Sequence, residues 1–312
     1  MREYRTVTMD AHRWDDFVPR DGDIIVATYP KCGTTWTQRI VDLLLNQSPA
    51  PRQFTAAAPW LDATFFAPVE ADLATLEAQT QRRSMKSHLP LDSLPVYAGA
   101  KVIHVARDGR DACWSMHNHM LGFRPELVAA ISAQNAGDAQ LGGRAPGATP
   151  EDPHAYFERW MEDAEVPAPK GLGFEVPFCE FERTYWAARH EPWMLMVHYA
   201  DLKADLEGEM GRISEFLGIA TPPALMSQLA HAATFETMKA QGEEMLPMLS
   251  FAFDRGADRF LNKGVNGRWK DVLTAADLER YDALIRRKLT PAHAAWIERG
   301  RLAAGDPRKL PD

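Results

Sequence analysis

Lys31, Gly33, Thr34 and Thr35 fall within one short stretch, and together they offer what a phosphate needs. The ammonium brings charge, the hydroxyls bring donors, and glycine lets bare backbone approach an anion. Two further sets of residues could do chemistry. Lys86 and His88 are two apart, hence on the same side of an extended chain. An imidazole with an ordinary pKa of about 6.5 can take up a proton at neutral pH. Arg107 offers a planar fork of donors matched to phosphate, with Ser115 following in the next predicted helix. Cations to hold an anion and a base beside them suit work on a phosphorylated nucleotide.

These side chains need elements to bring them together. The run Asp23 to Thr28 is apolar and β-branched, the pattern of a buried strand. Trp36, Ile40 and Leu44 then recur four apart, which marks a helix face. A strand, a tight loop and a helix N-terminus leave several N–H groups converging, with the positive end of the dipole behind them. The blander reading is an ordinary strand-to-helix corner in which glycine and threonine serve as turn and cap. Further strands are expected to end near Ser87, where Pro90 blocks continuation, at Ala106 before Arg107, and at Tyr199. A helix from Asp201 carries Leu206, Met210, Ile213 and Leu217 on one face and closes at Gly218, and Thr221-Pro222 opens another. Ligands of open α/β sheets sit at the carboxyl ends of strands. The expectation is one α/β domain over residues 1–312, with a central, mainly parallel sheet and helices on both faces.

The loop is not of the ATP-binding kind, which needs lysine directly after its second glycine; here lysine precedes Gly33 by two positions. Instead Tyr29-Pro30-Lys31-Cys32-Gly33-Thr34-Thr35-Trp36 resembles the 5′-phosphosulfate loop of cytosolic-type sulfotransferases that use 3′-phosphoadenosine 5′-phosphosulfate (PAPS). Cys32 stands where many members have serine. Lys86-Ser87-His88-Leu89-Pro90 resembles the segment whose histidine is the base. The string from Val102 to Asp111 resembles the 3′-phosphate motif, with Arg107 and Ser115 at its binding positions. The likeness continues through Tyr199 in Tyr-x-Asp-x-Lys, Thr234-Phe235 and Asn262-Lys263-Gly264, and ends near Glu279. It implies a P-loop-like site for PAPS and its product PAP, without a metal. Lys31, Lys86 and His88 would be catalytic, with Cys32, Gly33, Thr34, Thr35 and Trp36 also in the loop. Two departures stand out: Ala233 replaces a hydroxyl residue near the adenine, and Asn262 replaces an arginine.

The acceptor would be a small molecule with an apolar body and a hydroxyl or amine, walled by Trp60, Phe65, Phe123, Tyr156, Met248 and Phe251. The Trp60 segment also reads, with slightly less weight, as a cap on the core. Residues 122–153 are rich in glycine and proline, either a flexible lid or an insertion. Residues 270–279 resemble a short dimer motif and read as well as a helix opened by Thr274 with Asp277 in a capping box.

Net charge is −8, which disfavours nonspecific binding to nucleic acid. The three cysteines lack metal-ligand spacing, and His117 and His119 fall on different sides of a helix, a poor metal pair. No apolar run reaches membrane-spanning length and Met1 to Arg5 is not a signal peptide, so a cytoplasmic protein is expected. A P-loop kinase or ATPase, and a noncatalytic nucleotide-binding protein, remain as alternatives.

Overall fold

Four short strands carry the site, and all run in parallel. They are β1 (Ile24–Thr28), β2 (Ser84–Ser87), β3 (Lys101–Ala106) and β4 (Met194–His198), in spatial order β2-β1-β3-β4. This computed structural model describes residues 2–137, 147–164 and 177–311. Register pairs Ile24 with Ser84 and Lys101, and Val102 with Met194, so the carboxyl ends finish level.

Both faces of the sheet are covered, as parallel sheets require, and side chains alternate between two cores. Ile25, Ala27, Val102 and Met196 join one core with helices Gly109–Leu121 and Phe178–Ala187. Ile24, Val26, Ile103 and Val197 join the other with helices Thr34–Asn46 and Leu206–Leu217. We label Thr34–Asn46 α1, Gly109–Leu121 α2 and Pro125–Asn135 α3. The apolar spacing in α1 works as expected: Ile40 and Leu44 are fully buried, and Trp36 at its first turn packs at the edge of that core.

Several expectations need correction. The helix from Asp201 is two helices, Tyr199–Ala204 and Leu206–Leu217, because Asp205 breaks the run and caps the second through Gly208 N–H. Gly218 closes it in the left-handed region at φ 66, as expected. Thr221 is not a cap: the next helix is Pro223–Ala232, and the Thr221 hydroxyl bonds Gln47 instead. Part of the 122–153 stretch is helix, since α3 buries Leu127 and Ile131; residues 138–146 lie outside the described residues. At 270–279 the capping box is present, with Thr274 and Asp277 satisfying each other ahead of helix Ala275–Lys288. No helix among the described residues is long and apolar enough to cross a membrane.

Candidate active site

The carboxyl end of β1 turns sharply through two left-handed residues, Lys31 at φ 69 and Gly33 at φ 112. Only glycine fits the second: a Cβ there would sit 3.0 Å from the Tyr199 ring, on a backbone that L side chains rarely adopt. The turn delivers Thr34 to the start of α1, where its hydroxyl lies 2.6 Å from that of Thr28. The Cys32 thiol is fully buried in the core, so that residue offers the loop only its backbone. Trp36 donates its Nε1–H to Ala233 O at 2.7 Å and meets Tyr199 edge-on, ring centroids 5.3 Å apart. Phe235 and Gly264 close on each other so tightly that a Cβ at Gly264 would fall 2.5 Å from the phenyl ring. Trp36, Tyr199, Phe235 and Gly264 therefore line one slot suited to a planar ring. Thr234, expected here too, caps helix Phe235–Ala240 through Thr237 N–H and does not line the cavity.

At the end of β2, His88 is fixed from several sides. Its Nδ1 stands 2.7 Å from Thr28 O, and a carbonyl can only accept, so Nδ1 carries the proton and the lone pair is on Nε2. Its backbone N–H donates to the buried Asp62 carboxylate at 3.1 Å, and that carboxylate also holds Trp60 Nε1 at 2.8 Å. Trp60 in turn packs edge-on against the imidazole and lies under the Lys86 ammonium, 3.8 Å from its ring centroid. Burial pushes the His88 pKa well down, and the charge of Lys86 pushes the same way, so the ring is neutral at physiological pH.

Lys31 reaches across to His119, with Nζ 3.3 Å from Nδ1, and rests over the Phe260 ring. Burial, then Lys86 and Arg107, lower its pKa to about 7; burial lowers that of Lys86 to about 8. At the end of β3, Arg107 stacks over Tyr199 and points Nε and Nη2 at Asn266 Oδ1, 3.1 and 2.7 Å away. Asp111 accepts from Gly267 N–H at 2.7 Å and pins the 262–268 loop over α2.

One cavity of ≈ 550 Å³ joins these groups. Lys31, Thr35, Lys86, His88, Arg107 and Ser115 line its polar end, as do Asn262, Lys263 and Gly264. Trp60, Phe65, Phe123 and Met248 line the apolar end, with Leu127 and Ile131 of α3. Two expected wall residues are elsewhere. Tyr156 is buried in the core against His117, because helix Pro153–Asp163 turns it inward; Phe251 is 60% exposed, on the outer side of its short helix. The lining residues missed in the sequence include Asp111, His119, Lys203 and Arg268. Asp111 and His119 were within reach, since each is four positions from Ser115 on α2 and shares its face. No cluster among the described residues is placed to hold a metal ion.

This edge can hold a nucleotide's phosphates and take a proton from whatever lies beside them, which defines a nucleotide-dependent group transferase. The group is sulfuryl. The family described as "Sulfotransferase domain" matches residues 21–292, and the chain belongs to that family. It is 35% identical to a glycolipid sulfotransferase of Mycobacterium bovis over 96% of this chain and 94% of that one. Sulfotransferase 1B1 of Mus musculus is 26% identical over 89% of this chain and 86% of its own. Among solved structures, mouse sulfotransferase SULT7A1 complexed with PAP superimposes with a TM-score of 0.67 at 20% identity, covering 90% of this chain and 88% of that one. Retinol dehydratase in complex with androsterone and PAP gives 0.70 at 22%, covering 91% and 87%. The chain is thus an enzyme, a sulfotransferase, and the kinase or ATPase reading is not favoured.

Proposed function

We propose that this sulfotransferase takes its sulfuryl group from PAPS and passes it to a hydroxyl or amine of an apolar-bodied small molecule, with His88 as general base. The observation that carries the reading is the His88 tautomer: the Nδ1–H held by Thr28 O keeps the lone pair on Nε2, in a ring that burial keeps neutral. When bound, PAPS supplies an electrophilic sulfur and an adenosine bisphosphate leaving group. The polar end fits such a polyanion, because Lys31 lies buried in the like-charged field of Lys86 and Arg107 and both lysines line the cavity.

The loop amides with Thr34 and Thr35 hold the 5′-phosphate at the N-terminus of α1. Trp36, Tyr199 and Phe235 enclose the base. Arg107, Ser115, Lys263 and the bare backbone of Gly264 hold the 3′-phosphate, beside Asn262. His88 Nε2 accepts the acceptor's proton as its oxygen or nitrogen attacks, and Lys31 and Lys86 offset the negative charge left on the departing oxygen. The PAP recorded with SULT7A1 and retinol dehydratase supports this use of the fold. The mycobacterial relatives, described as glycolipid sulfotransferases, support an acceptor that joins a hydroxylated head to an apolar body. All three cysteines are buried and none is in a disulfide, in keeping with work in the cytoplasm.

A radiolabelled-donor assay over pooled phenols, sterols, alcohols and glycolipids tests the reading. Transfer is expected, and His88→Ala should lower it by about 10²–10⁴-fold while PAP binding persists. Equal turnover by that variant would remove His88 from the mechanism.

A further inference from the structure

The polar end of the cavity gathers more positive charge than the roles above require. Lys203 and Arg268, to which no role has been given, line it beside Lys263, and among the described residues the side chains of these three make no hydrogen bond or ion pair. Arg268 differs from the two lysines in being only partly exposed and in lying within the field of Arg107. Two guanidinium groups brought together and partly withdrawn from water repel each other unless an anion joins them. Asp111 is the acidic group close by, and its Oδ1 is already engaged by Gly267 N–H.

The backbone accounts for the placement. Gly267 takes the left-handed region at φ 78, its N–H is fastened to Asp111, and Arg107 holds Val265 O at 3.2 Å. The loop is thereby laid across Arg107, and the next residue after Gly267 is delivered to the same end of the cavity. A second observation points to the ligand. Arg107 presents Nε and Nη2 together to one oxygen, Asn266 Oδ1, as a guanidinium edge takes a phosphate oxygen. Asn262, where the family resemblance expects arginine, brings no charge.

We infer that Arg268 is a ligand of the nucleotide's 3′-phosphate, supplying from the far side of the loop the charge that Asn262 lacks. The inference rests on the PAPS reading, and it makes Arg268 a determinant of donor choice between nucleotides with and without that phosphate. Calorimetric titration of the full chain with PAP and with adenosine 5′-monophosphate, which lacks only the 3′-phosphate, tests it without any acceptor. The unaltered chain should prefer PAP. Arg268→Gln should weaken PAP by about tenfold or more, leave the monophosphate unchanged, and recover when Asn262→Arg is added. Because the Arg268 side chain makes no hydrogen bond or ion pair among the described residues, the thermal transition should not move. Unchanged PAP affinity, or an equal loss for both nucleotides, would overturn the assignment. An unaltered chain that binds the two nucleotides equally would instead overturn the donor reading beneath it.

Discussion

The two ends of the β1–β2 pair treat charge in opposite ways. One register step before the first paired residues, Ile24 and Ser84, stand Asp23 and Arg83, each 1% exposed. They form a two-point ion pair at 2.8 and 2.5 Å, and Tyr97 Oη and Arg20 N–H also donate to the carboxylate. One step after the last pair stand Thr28 and His88, with Lys31 and Lys86 close by. There the two lysines make no ion pair among the described residues: they rest on aromatic faces and an imidazole, with the buried Asp62 carboxylate acting on Lys86 from beyond ion-pair distance. Buried charge at the amino edge is balanced within the fold. At the carboxyl edge the balance is left to a ligand, and the cost shows as depressed lysine pKa values.

Breaking the balanced end should have the largest effect and should be felt as stability. Asp23→Ala removes the buried, two-point partner of the Arg83 guanidinium and leaves it, against Phe17, with only the exposed Glu77 carboxylate and Val18 O. Removing one partner of a buried pair costs about 3–5 kcal/mol. Denaturant titration should show that loss, while kcat of the folded fraction stays close to that of the parent. The matching change at the other end, Lys86→Met, should leave the denaturation midpoint unchanged or raised and reduce the benefit of PAP as a stabilising ligand. Equal destabilisation by both changes would erase the contrast.

The sequence was most legible where one local pattern fixes both element and chemistry. The loop from Tyr29 to Trp36 is such a case: strand, turn and helix start follow each other, and every side chain that matters is within that span. The four strands, their parallel arrangement and the burial of both faces followed from apolar runs that end in charge. What stayed hidden depends on packing between distant segments. Nothing local says that Tyr156 faces His117 rather than the cavity, or that Phe251 lies on the outside of its short helix. Thr234 carries an oxygen that either a ligand or a helix end could use, and the start of helix Phe235–Ala240 takes it. Arg268 lies four residues after Gly264, yet its placement depends on Gly267 being tied to Asp111, a contact across more than a hundred residues.

The unbalanced end should also respond to pH, and the sign follows from the two lysines. In the ligand-free protein Lys31 loses its proton near pH 7 and Lys86 near pH 8. A bound polyanion favours both in their charged forms, so binding takes up protons between about pH 7 and 9. Affinity for PAP should be flat below that window. It should then fall with rising pH, by about tenfold per unit for each lysine already above its own pKa. Titrations in buffers of different ionisation heat would report the uptake directly. Proton release on binding, or affinity that rises from pH 7 to 9, would show that the carboxyl edge is not short of negative charge.

The finest test of the contrast is the one neighbour that Lys31 does have. An ammonium only donates, so His119 Nδ1 accepts the 3.3 Å bond, and the imidazole orients the amine without neutralising it. Asparagine can place an acceptor oxygen about where Nδ1 stands, whereas phenylalanine keeps the aromatic wall with Phe123 and Phe253 but offers no acceptor. The bond is long, so its worth belongs at the weak end of the range for hydrogen bonds, about two- to tenfold in kcat. His119→Phe should therefore lose that factor with PAP affinity almost unchanged, and His119→Asn should regain most of it. If phenylalanine performs as well as histidine, Lys31 finds its position from the left-handed turn and the Phe260 face alone. The carboxyl edge would then differ from the amino edge not only in making no ion pair but in seating its cations on aromatic faces alone.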